Sequence, residues 1–238
     1  MQTLWFLLTI CLVVLASAYD KGIDVSNNNG DIDWQKVKAA GIKFAVAKAT
    51  EGRNVEDHEF RINFGQIKSN GMQAAAYHYF LGAHPAESQV ANVKKVLQLG
   101  GFDANNDVLA IDVEERSNED IPPDAMAEIL NDVLVGLNDT YRNIYIYCNA
   151  QYWEEKVDWR LFDFSEYKLW IAQYNTDTPQ IPSTWRDVGY TWWQYSDRGA
   201  VDGIEGKVYL DRKSSNCAVK PCFSSSLLSM IYPSVILV

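Results

Sequence analysis

Histidine and cysteine are scarce in this chain, which has three of the first and four of the second among 238 residues. The three histidines, His58, His78 and His84, do not have the spacing of a metal site. No cysteine is accompanied by a histidine-bearing motif, which argues against a cysteine nucleophile activated by an imidazole base. These shortages therefore disfavour a metal site and a thiol nucleophile.

Basic residues are also in the minority. The chain has 21 Lys and Arg against 31 Asp and Glu, a formal net charge of −10. Binding to nucleic acid relies on clustered Lys and Arg that neutralise phosphates, so a nucleic-acid partner is not expected. The hydrophobic share of 47% and the charged share of 22% are those of a globular protein with material for one large core.

Charged side chains are missing from the first 18 residues. The run from Leu4 to Ala16 is almost wholly apolar, is too short to span a membrane comfortably, and is followed by small residues up to Ala18. This pattern predicts a signal peptide over residues 1–18, cleavage before Tyr19, and a secreted mature protein. Cys11 would leave with it, Cys148 lies in an apolar run typical of a buried thiol, and Cys217 with Cys222 can close a small loop.

The end of the chain has a different composition. Small or polar residues at 214–216 precede a ten-residue spacer at 217–226 and an apolar run at 227–238. Small residues, a spacer and a short hydrophobic tail are the pattern of a GPI-anchor signal. A strand that docks on the domain and a disordered end are the alternatives. We therefore divide the chain into a signal peptide (1–18), one domain (19–213) and a tail (214–238).

The domain alternates strand-like and helix-like segments. Strands are predicted at 22–26, 43–50, 73–80, 108–114, 143–148, 168–174, 190–196 and 207–211. Helices are predicted at 31–40, with Asp31 as N-cap, and at 58–70, 85–99 and 123–137. Eight strands alternating with helices predict an α/β fold, a closed or nearly closed β/α barrel whose last third lacks covering helices.

Two carboxylates end the apolar strand Asp107-Val-Leu-Ala-Ile-Asp-Val-Glu114. Asp112 and Glu114 are two residues apart, so on a strand they lie on one face, about 7 Å from each other. Desolvation and mutual repulsion would raise their pKa values, which is costly for folding but useful for donating a proton to a leaving group. Asp24 falls at the end of the first strand, and the C-terminal strand ends of such barrels carry catalytic groups. A solvated strand end and a turn-forming Asp are the alternative interpretations.

Several motifs together resemble glycoside hydrolase family 25, the Chalaropsis-type lysozymes. They run in family order over residues 21–212, nearly the whole domain. The motifs are Gly22-Ile-Asp-Val-Ser26, Gly30-Asp-Ile-Asp-Trp34, Phe44-Ala-Val-Ala-Lys-Ala-Thr-Glu-Gly52, Tyr77-His-Tyr-Phe80, Ile111-Asp-Val-Glu114, Leu169-Trp-Ile-Ala-Gln-Tyr174 and Trp193-Gln-Tyr-Ser196 before Gly203-Ile204.

The resemblance implies a modified barrel of five β/α units followed by three strands. It implies hydrolysis of the β-1,4 bond between N-acetylmuramic acid and N-acetylglucosamine in bacterial peptidoglycan, with no cofactor, metal or obligate protein partner. By motif position, Glu114 would be the general acid and base. Asp112 would support the charge that develops at the sugar, directly or by holding the substrate's acetamido group, and Asp24 would position or polarise within the same cluster.

Four further residues are expected to contact substrate, namely Tyr79, Trp170, Tyr174 and Asp211. The aromatic ones lie near strand ends, where rings can stack on sugars, and Trp193 is a further candidate for stacking. Lys48 and Glu51 flank a strand end as a rim pair. Repulsion between the acidic protein and anionic bacterial walls fades at low pH, which favours secretion into an acidic digestive compartment or the extracellular space. The sequence leaves open whether bacteria are killed in defence or digested.

One departure from the family pattern concerns the last strand. The family usually has Val-Asp-x-Asn or Val-Asp-x-Asp there, whereas this chain has Val208-Tyr-Leu-Asp211, with Tyr209 in place of the acid. Tyr209 and Asp211 share a strand face. A catalytically weakened glycan-binding protein is therefore an alternative function. A chitin-directed hydrolase is a further alternative, but residues 105–114 lack the Asp-x-x-Asp-x-Asp-x-Glu strand typical of that barrel.

Overall fold

The computed structural model describes residues 19–214, so the predicted signal peptide, the Cys217–Cys222 loop and nearly all of the tail lie outside the described residues. Nine strands are present within that range. They are β1 (Lys21–Val25), β2 (Phe44–Glu51), β3 (Val55–Glu56), β4 (Gln73–Tyr79), β5 (Val108–Asp112), β6 (Ile144–Asn149), β7 (Lys168–Ala172), β8 (Trp192–Gly199) and β9 (Val208–Lys213).

Five α-helices accompany these strands within residues 19–214. They are α1 (Trp34–Ala39), α2 (Phe60–Ser69), α3 (Ala86–Leu99), α4 (Pro123–Asn138) and α5 (Ala150–Lys156). None of the helices in this part of the chain is long and apolar enough to cross a membrane. Helix α1 begins later than predicted, because Asp33 rather than Asp31 accepts a hydrogen bond from the backbone of Lys36 as N-cap.

Eight of the described strands close into a barrel, as predicted. The order is β1-β9-β8-β7-β6-β5-β4-β2, β2 closes on β1, and the two-residue β3 pairs with the end of β2. Strand β9 is antiparallel to both of its neighbours, β1 and β8, and the remaining barrel pairs are parallel. The C-terminal ends of the seven parallel strands therefore meet at one mouth of the barrel.

The helices confirm the predicted rhythm of five β/α units followed by three strands. Helices α1 to α5 follow β1, β2, β4, β5 and β6 in turn, and the segments that join β7 to β9 contain one short 3-10 turn, Ser183–Trp185, and no α-helix. Helix α5 was not predicted, although Asn149 caps it by accepting a hydrogen bond from the backbone of Tyr152. Its seven residues are too few to show a clear helical period.

Aromatic side chains fill the barrel interior below the mouth. Phe44 and Trp192 stack there with ring centroids 4.7 Å apart, and Trp170 lies edge-on to Trp192. A Cβ atom at Gly22 would lie 2.2 Å from the Phe44 ring, so glycine is required at this close approach. This cluster closes the barrel interior. The polar side chains lie above it, at the C-terminal ends of the strands.

Candidate active site

A polar cleft of about 290 Å³ opens at the mouth of the barrel. That volume is close to the lower end of the usual range for sites that bind small ligands. All three predicted catalytic acids line it. The residues around the cleft are Asp24, Ser26, Asn28, Lys48, Tyr77, Tyr79, Asp112, Glu114, Arg116, Tyr147, Trp170, Gln194 and Tyr209.

Asp112 is the last residue of β5, and only 7% of its surface is exposed. Its Oδ1 atom is buried and has no hydrogen-bond partner among the described residues. Burial, followed by the charges of Glu114 and Asp24, holds the pKa of Asp112 well above its usual range. The carboxyl group lines the cleft, while its Oδ1 atom lies beneath the surface without a partner.

Glu114 lies two residues past the end of β5, whereas the sequence predicted a strand that continues to it. The backbone N–H of Val113 still donates to the carbonyl of Tyr147 on β6, which carries Glu114 to the cleft. Burial is the largest cause of the raised pKa of Glu114, as the sequence argument expected, and the charge of Glu51 adds to it. The polar hydroxyl of Tyr79 and the charges of Arg116 and Lys48 act against that shift.

A cationic rim surrounds Glu114 on the side of β2 and β4. The guanidinium of Arg116 lies 4.6 Å from the centre of the Tyr79 ring, whose hydroxyl donates to the Arg116 carbonyl at 2.8 Å. Glu51 Oε2 accepts from Lys48 Nζ at 2.6 Å and from Arg116 at 3.4 Å. The structure thus confirms the rim pair of Lys48 and Glu51 and adds Arg116 to it.

Asp24 is held on the opposite side of the cleft. Gln194 Nε2 donates to Asp24 Oδ2 at 2.7 Å, and Gln194 Oε1 accepts from the hydroxyls of Tyr147, at 2.9 Å, and Tyr174. These phenols fix which end of the amide faces Asp24. Burial raises the pKa of Asp24 to about 7, although its hydrogen bonds with Gln194 and Asp211 oppose the shift.

Of the four residues predicted to contact substrate, Tyr79 and Trp170 line the cleft, and their contact with substrate stays a prediction. Tyr174 is not among the residues that line it; its hydroxyl donates to Gln194, and its contact with substrate also stays a prediction. For Asp211 the structure contradicts the predicted contact with substrate. That residue has no accessible surface, so it lies beneath the cleft and does not reach a ligand. Trp193, another candidate for stacking, is buried on the outer face of β8 and donates to the carbonyl of Gln173.

Gln194, Tyr147 and Arg116 are site residues that the sequence argument missed. Gln194 lies within a recognised motif and alternates with the outward-facing Trp193, which was the available signal. Tyr209 pairs with Asp24 across β1 and β9, lines the cleft and is 44% exposed. A neutral phenol therefore occupies the rim next to Asp24.

Known proteins resemble this chain in sequence and in fold. The chain is 33% identical over 213 residues to lysozyme M1 of Streptomyces globisporus, covering 82% of this chain and 67% of that protein. It is 28% identical over 199 residues to the autolytic lysozyme of Clostridium acetobutylicum, covering 84% of this chain and 57% of that protein. The crystal structure of the bacterial lysozyme from Streptomyces coelicolor superposes with a TM-score of 0.69 at 26% identity, over 81% of this chain and 91% of that one.

The chain thus spans about two thirds or less of the length of these two curated relatives. The family model described as glycosyl hydrolases family 25 matches residues 23–204. That range contains the barrel from β1 to the segment before β9 and includes Asp24, Asp112 and Glu114. The match covers more than half of the chain and agrees with the barrel and the acidic cleft. The protein therefore belongs to glycosyl hydrolases family 25.

Proposed function

We propose that this protein is a lysozyme that hydrolyses the β-1,4 bond between N-acetylmuramic acid and N-acetylglucosamine in bacterial peptidoglycan. The observation that carries the proposal is the unequal pair at the end of β5. Asp112 is buried with a free acceptor oxygen, whereas Glu114 reaches the cleft with a raised pKa. A glycosidase needs two carboxyl groups with such different duties. Family membership and the lysozymes among the relatives support the same assignment.

In this mechanism Glu114 acts first as an acid. Its carboxyl gives a proton to the glycosidic oxygen as the bond from that oxygen to the anomeric carbon breaks. The raised pKa keeps the proton on Glu114 at a pH where an ordinary glutamate has lost it. In the second half of the reaction the Glu114 carboxylate takes a proton from the water that attacks the anomeric carbon, which returns the enzyme to its starting form.

Asp112 handles the positive charge that develops at the sugar. Its carboxyl group, which lines the cleft, can accept the N–H of the substrate's acetamido group, so that the acetamido oxygen is turned towards the anomeric carbon and attacks it from within the substrate. The cyclic cation that results lies beside Asp112, and its charge favours the carboxylate form of a group whose pKa is otherwise raised. Attack of water on the anomeric carbon then breaks the bond from that carbon to the acetamido oxygen, which restores the acetamido group. Asp24, oriented by Gln194, holds the sugar from the other side of the cleft.

The pH dependence follows from the protonation state of Glu114. Because the reaction starts from protonated Glu114, kcat/KM should fall as the pH rises through the raised pKa of that residue. We expect an optimum below pH 7, measured as kcat/KM on soluble peptidoglycan fragments from pH 4 to 9. An optimum above pH 7 would contradict this assignment.

Tyr79→Phe supplies a matched variant for the same measurement. The Tyr79 hydroxyl binds the carbonyl of Arg116, and both residues lower the pKa of Glu114. Loss of the hydroxyl should therefore move the alkaline limb of the pH profile to higher pH. Tyr209→Phe removes a hydroxyl from the opposite rim, and this control should leave the limb in place.

A weakened glycan-binding protein remains a second candidate because Tyr209, rather than an acid, adjoins Asp24. Turbidity clearing of purified cell walls separates the two candidates. A lysozyme clears the suspension, whereas a binding protein sediments with the walls and leaves the turbidity unchanged. We propose the enzyme because Asp24 already has two partners, Gln194 and Asp211, that do not depend on residue 209.

We further propose secretion, either outside the cell or into an acidic digestive compartment, with a mature domain that begins at Tyr19. The charge-free start of the chain and the raised pKa values in the cleft support this. N-terminal sequencing of the natural protein tests the cleavage site. Release from cells by a phosphatidylinositol-specific phospholipase tests the GPI anchor, and a secreted chain that still ends at Val238 excludes it.

A further inference from the structure

Asp211 is an acid buried without accessible surface beneath the cleft, in the middle of β9. Trp170 Nε1 donates to its Oδ1 at 2.8 Å, and its Oδ2 is buried without a donor from any described residue. Across β1 and β9, Asp211 pairs with Gly22 and Tyr209 pairs with Asp24. Asp211 and Asp24 are therefore diagonal neighbours, and their carboxyl groups lie close enough to share a hydrogen bond. Two carboxyl groups make such a bond only when one of them carries a proton.

The direction of this hydrogen bond follows from the indole. An indole N–H is always a donor, so Asp211 Oδ1 must accept from Trp170. A proton on Asp211 therefore belongs on Oδ2, the oxygen that no donor reaches. On the other side, Gln194 also donates to Asp24. Asp24 therefore accepts a hydrogen bond from Gln194 and another from Asp211. In the hydrogen bond between the two acids, Asp211 is the donor.

The surroundings of Asp211 favour a neutral form. Within residues 19–214, the groups that face it are Asp24 from β1, the indole of Trp170 from β7, and Gln194 from β8, its partner in the sheet register. The phenol of Tyr195 is the next titratable group along β8. None of these side chains is a cation that could pair with a second buried negative charge, which would cost several kcal/mol in this environment.

The nearest cation on β9 is turned away. The guanidinium of Arg212 lies 3.8 Å from the centre of the Trp193 ring, on the outer face of the barrel. Its side chain also donates to the carbonyl of Asp177. Because neighbouring residues of a strand point to opposite faces, Arg212 cannot reach the interior side on which Asp211 meets Asp24.

We propose that Asp211 is a protonated positioning residue, which donates a hydrogen bond to Asp24 and fixes that carboxyl group in the cleft without touching substrate. Asp24 is then held from below by Asp211 and from the side by Gln194, and its remaining surface faces the cleft. A continuous series of donors runs from Trp170 through Asp211 to Asp24, in which each bond polarises the next. This inference rests on the lysozyme function proposed above. It assigns a role in that function to a residue that does not contact the sugar.

Two substitutions test whether Asp211 acts as a hydrogen-bond donor or as a negative charge. Asp211→Asn keeps an oxygen for Trp170 and an N–H for Asp24, so it copies the protonated acid. We expect kcat within about threefold of wild type. Asp211→Leu has a similar volume but no donor, and it leaves Trp170 Nε1 unpaired. We expect kcat to fall by about 10- to 100-fold, with a smaller change in KM.

Carboxyl carbon NMR on the wild-type protein and both variants measures the protonation of Asp24 and Asp211. A purely structural role of Asp211 would leave the Asp24 titration unchanged. The signal of Asp211 should stay in the protonated range at the pH at which Asp24 titrates. The hydrogen bond from Asp211 lowers the pKa of Asp24, so the Asp24 titration should move to higher pH in Asp211→Leu and stay near wild type in Asp211→Asn. The wild-type titration decides the question even if Asp211→Leu does not fold.

Three results would overturn the proposal. They are an Asp211 signal that titrates like an exposed aspartate, an Asp211→Asn variant as inactive as Asp211→Leu, and an Asp211→Leu variant with wild-type kcat and an unmoved Asp24 titration. Failure of the lysozyme function is a separate outcome. A wild-type enzyme without activity on peptidoglycan would refute that function, whereas the carboxyl signals would still report whether Asp211 donates to Asp24.

Discussion

Replacing Glu114 by glutamine is expected to lower kcat on purified peptidoglycan by about 10³-fold, with the melting temperature within a few degrees of wild type. Glutamine keeps the shape of the side chain but cannot give a proton to the glycosidic oxygen or take one from water. Glu114 is partly exposed in the cleft, and its raised pKa shows that burial acts against its charged form. Removing that charge should therefore not harm the fold.

Glu115→Gln is the matched control, because the same substitution falls one residue along the chain on an exposed side chain. Its kcat and melting temperature should both match wild type. Release of reducing ends measures kcat, and circular dichroism measures melting. Activity of Glu114→Gln within tenfold of wild type would mean that another group supplies the proton.

Asp112→Asn should have opposite effects on activity and on stability. Activity should fall by about 10²-fold or more, because a neutral amide cannot balance positive charge at the sugar. Stability near pH 7 should rise by about 2 kcal/mol, or roughly 4–8 °C in melting temperature, because an isosteric neutral group replaces a buried acid that resists ionisation.

The sign of the stability change follows from proton linkage. The pKa of Asp112 in the folded protein lies well above its ordinary value, so the folded state binds the proton more tightly than the unfolded state does. The stability that this proton provides is complete below the ordinary pKa of aspartate and is lost progressively as the pH rises towards the folded pKa. The gain from Asp112→Asn should therefore be large at pH 7 and small at pH 4.

Asp107→Asn is the control for this effect, since Asp107 is also buried but has its charge satisfied. Its Oδ2 accepts from Lys68 Nζ and from the backbone of Asp103, both at 2.7 Å. Loss of that pair should lower the melting temperature at pH 7 rather than raise it. Thermal melts of both variants at pH 4 and pH 7 make the comparison. A lower melting temperature for Asp112→Asn at pH 7 would contradict the claim that the site costs stability.

Much of the fold follows from patterns that depend on local sequence. Apolar runs with polar ends located all eight barrel strands to within a few residues, because each strand must present a buried face to the barrel or its helices. Helix α5 escaped prediction because seven residues hold too little periodic signal. Asp31 and Asp33 are both acceptable N-caps, and the backbone geometry chooses between them.

The site was predictable where two signals coincide in the sequence. Asp112 and Glu114 stand out because acids end an apolar strand, and Asp24 because it ends another. The depth of a side chain in the barrel was not predictable in this way, because it depends on how strands that are distant in sequence pair. The antiparallel register of β9 places Tyr209 opposite Asp24 and Asp211 opposite Gly22, which buries Asp211 below the cleft. No local pattern in the sequence encodes that register.

The identity of the reducing-end sugar tests the central claim most directly. Purified peptidoglycan is digested with the wild-type protein, the products are reduced with borohydride, and mass spectrometry identifies the reduced sugar. Cleavage between N-acetylmuramic acid and N-acetylglucosamine predicts fragments that all end in reduced N-acetylmuramic acid and that Glu114→Gln fails to produce. Fragments ending in reduced N-acetylglucosamine, or no soluble fragments at all, would contradict the account.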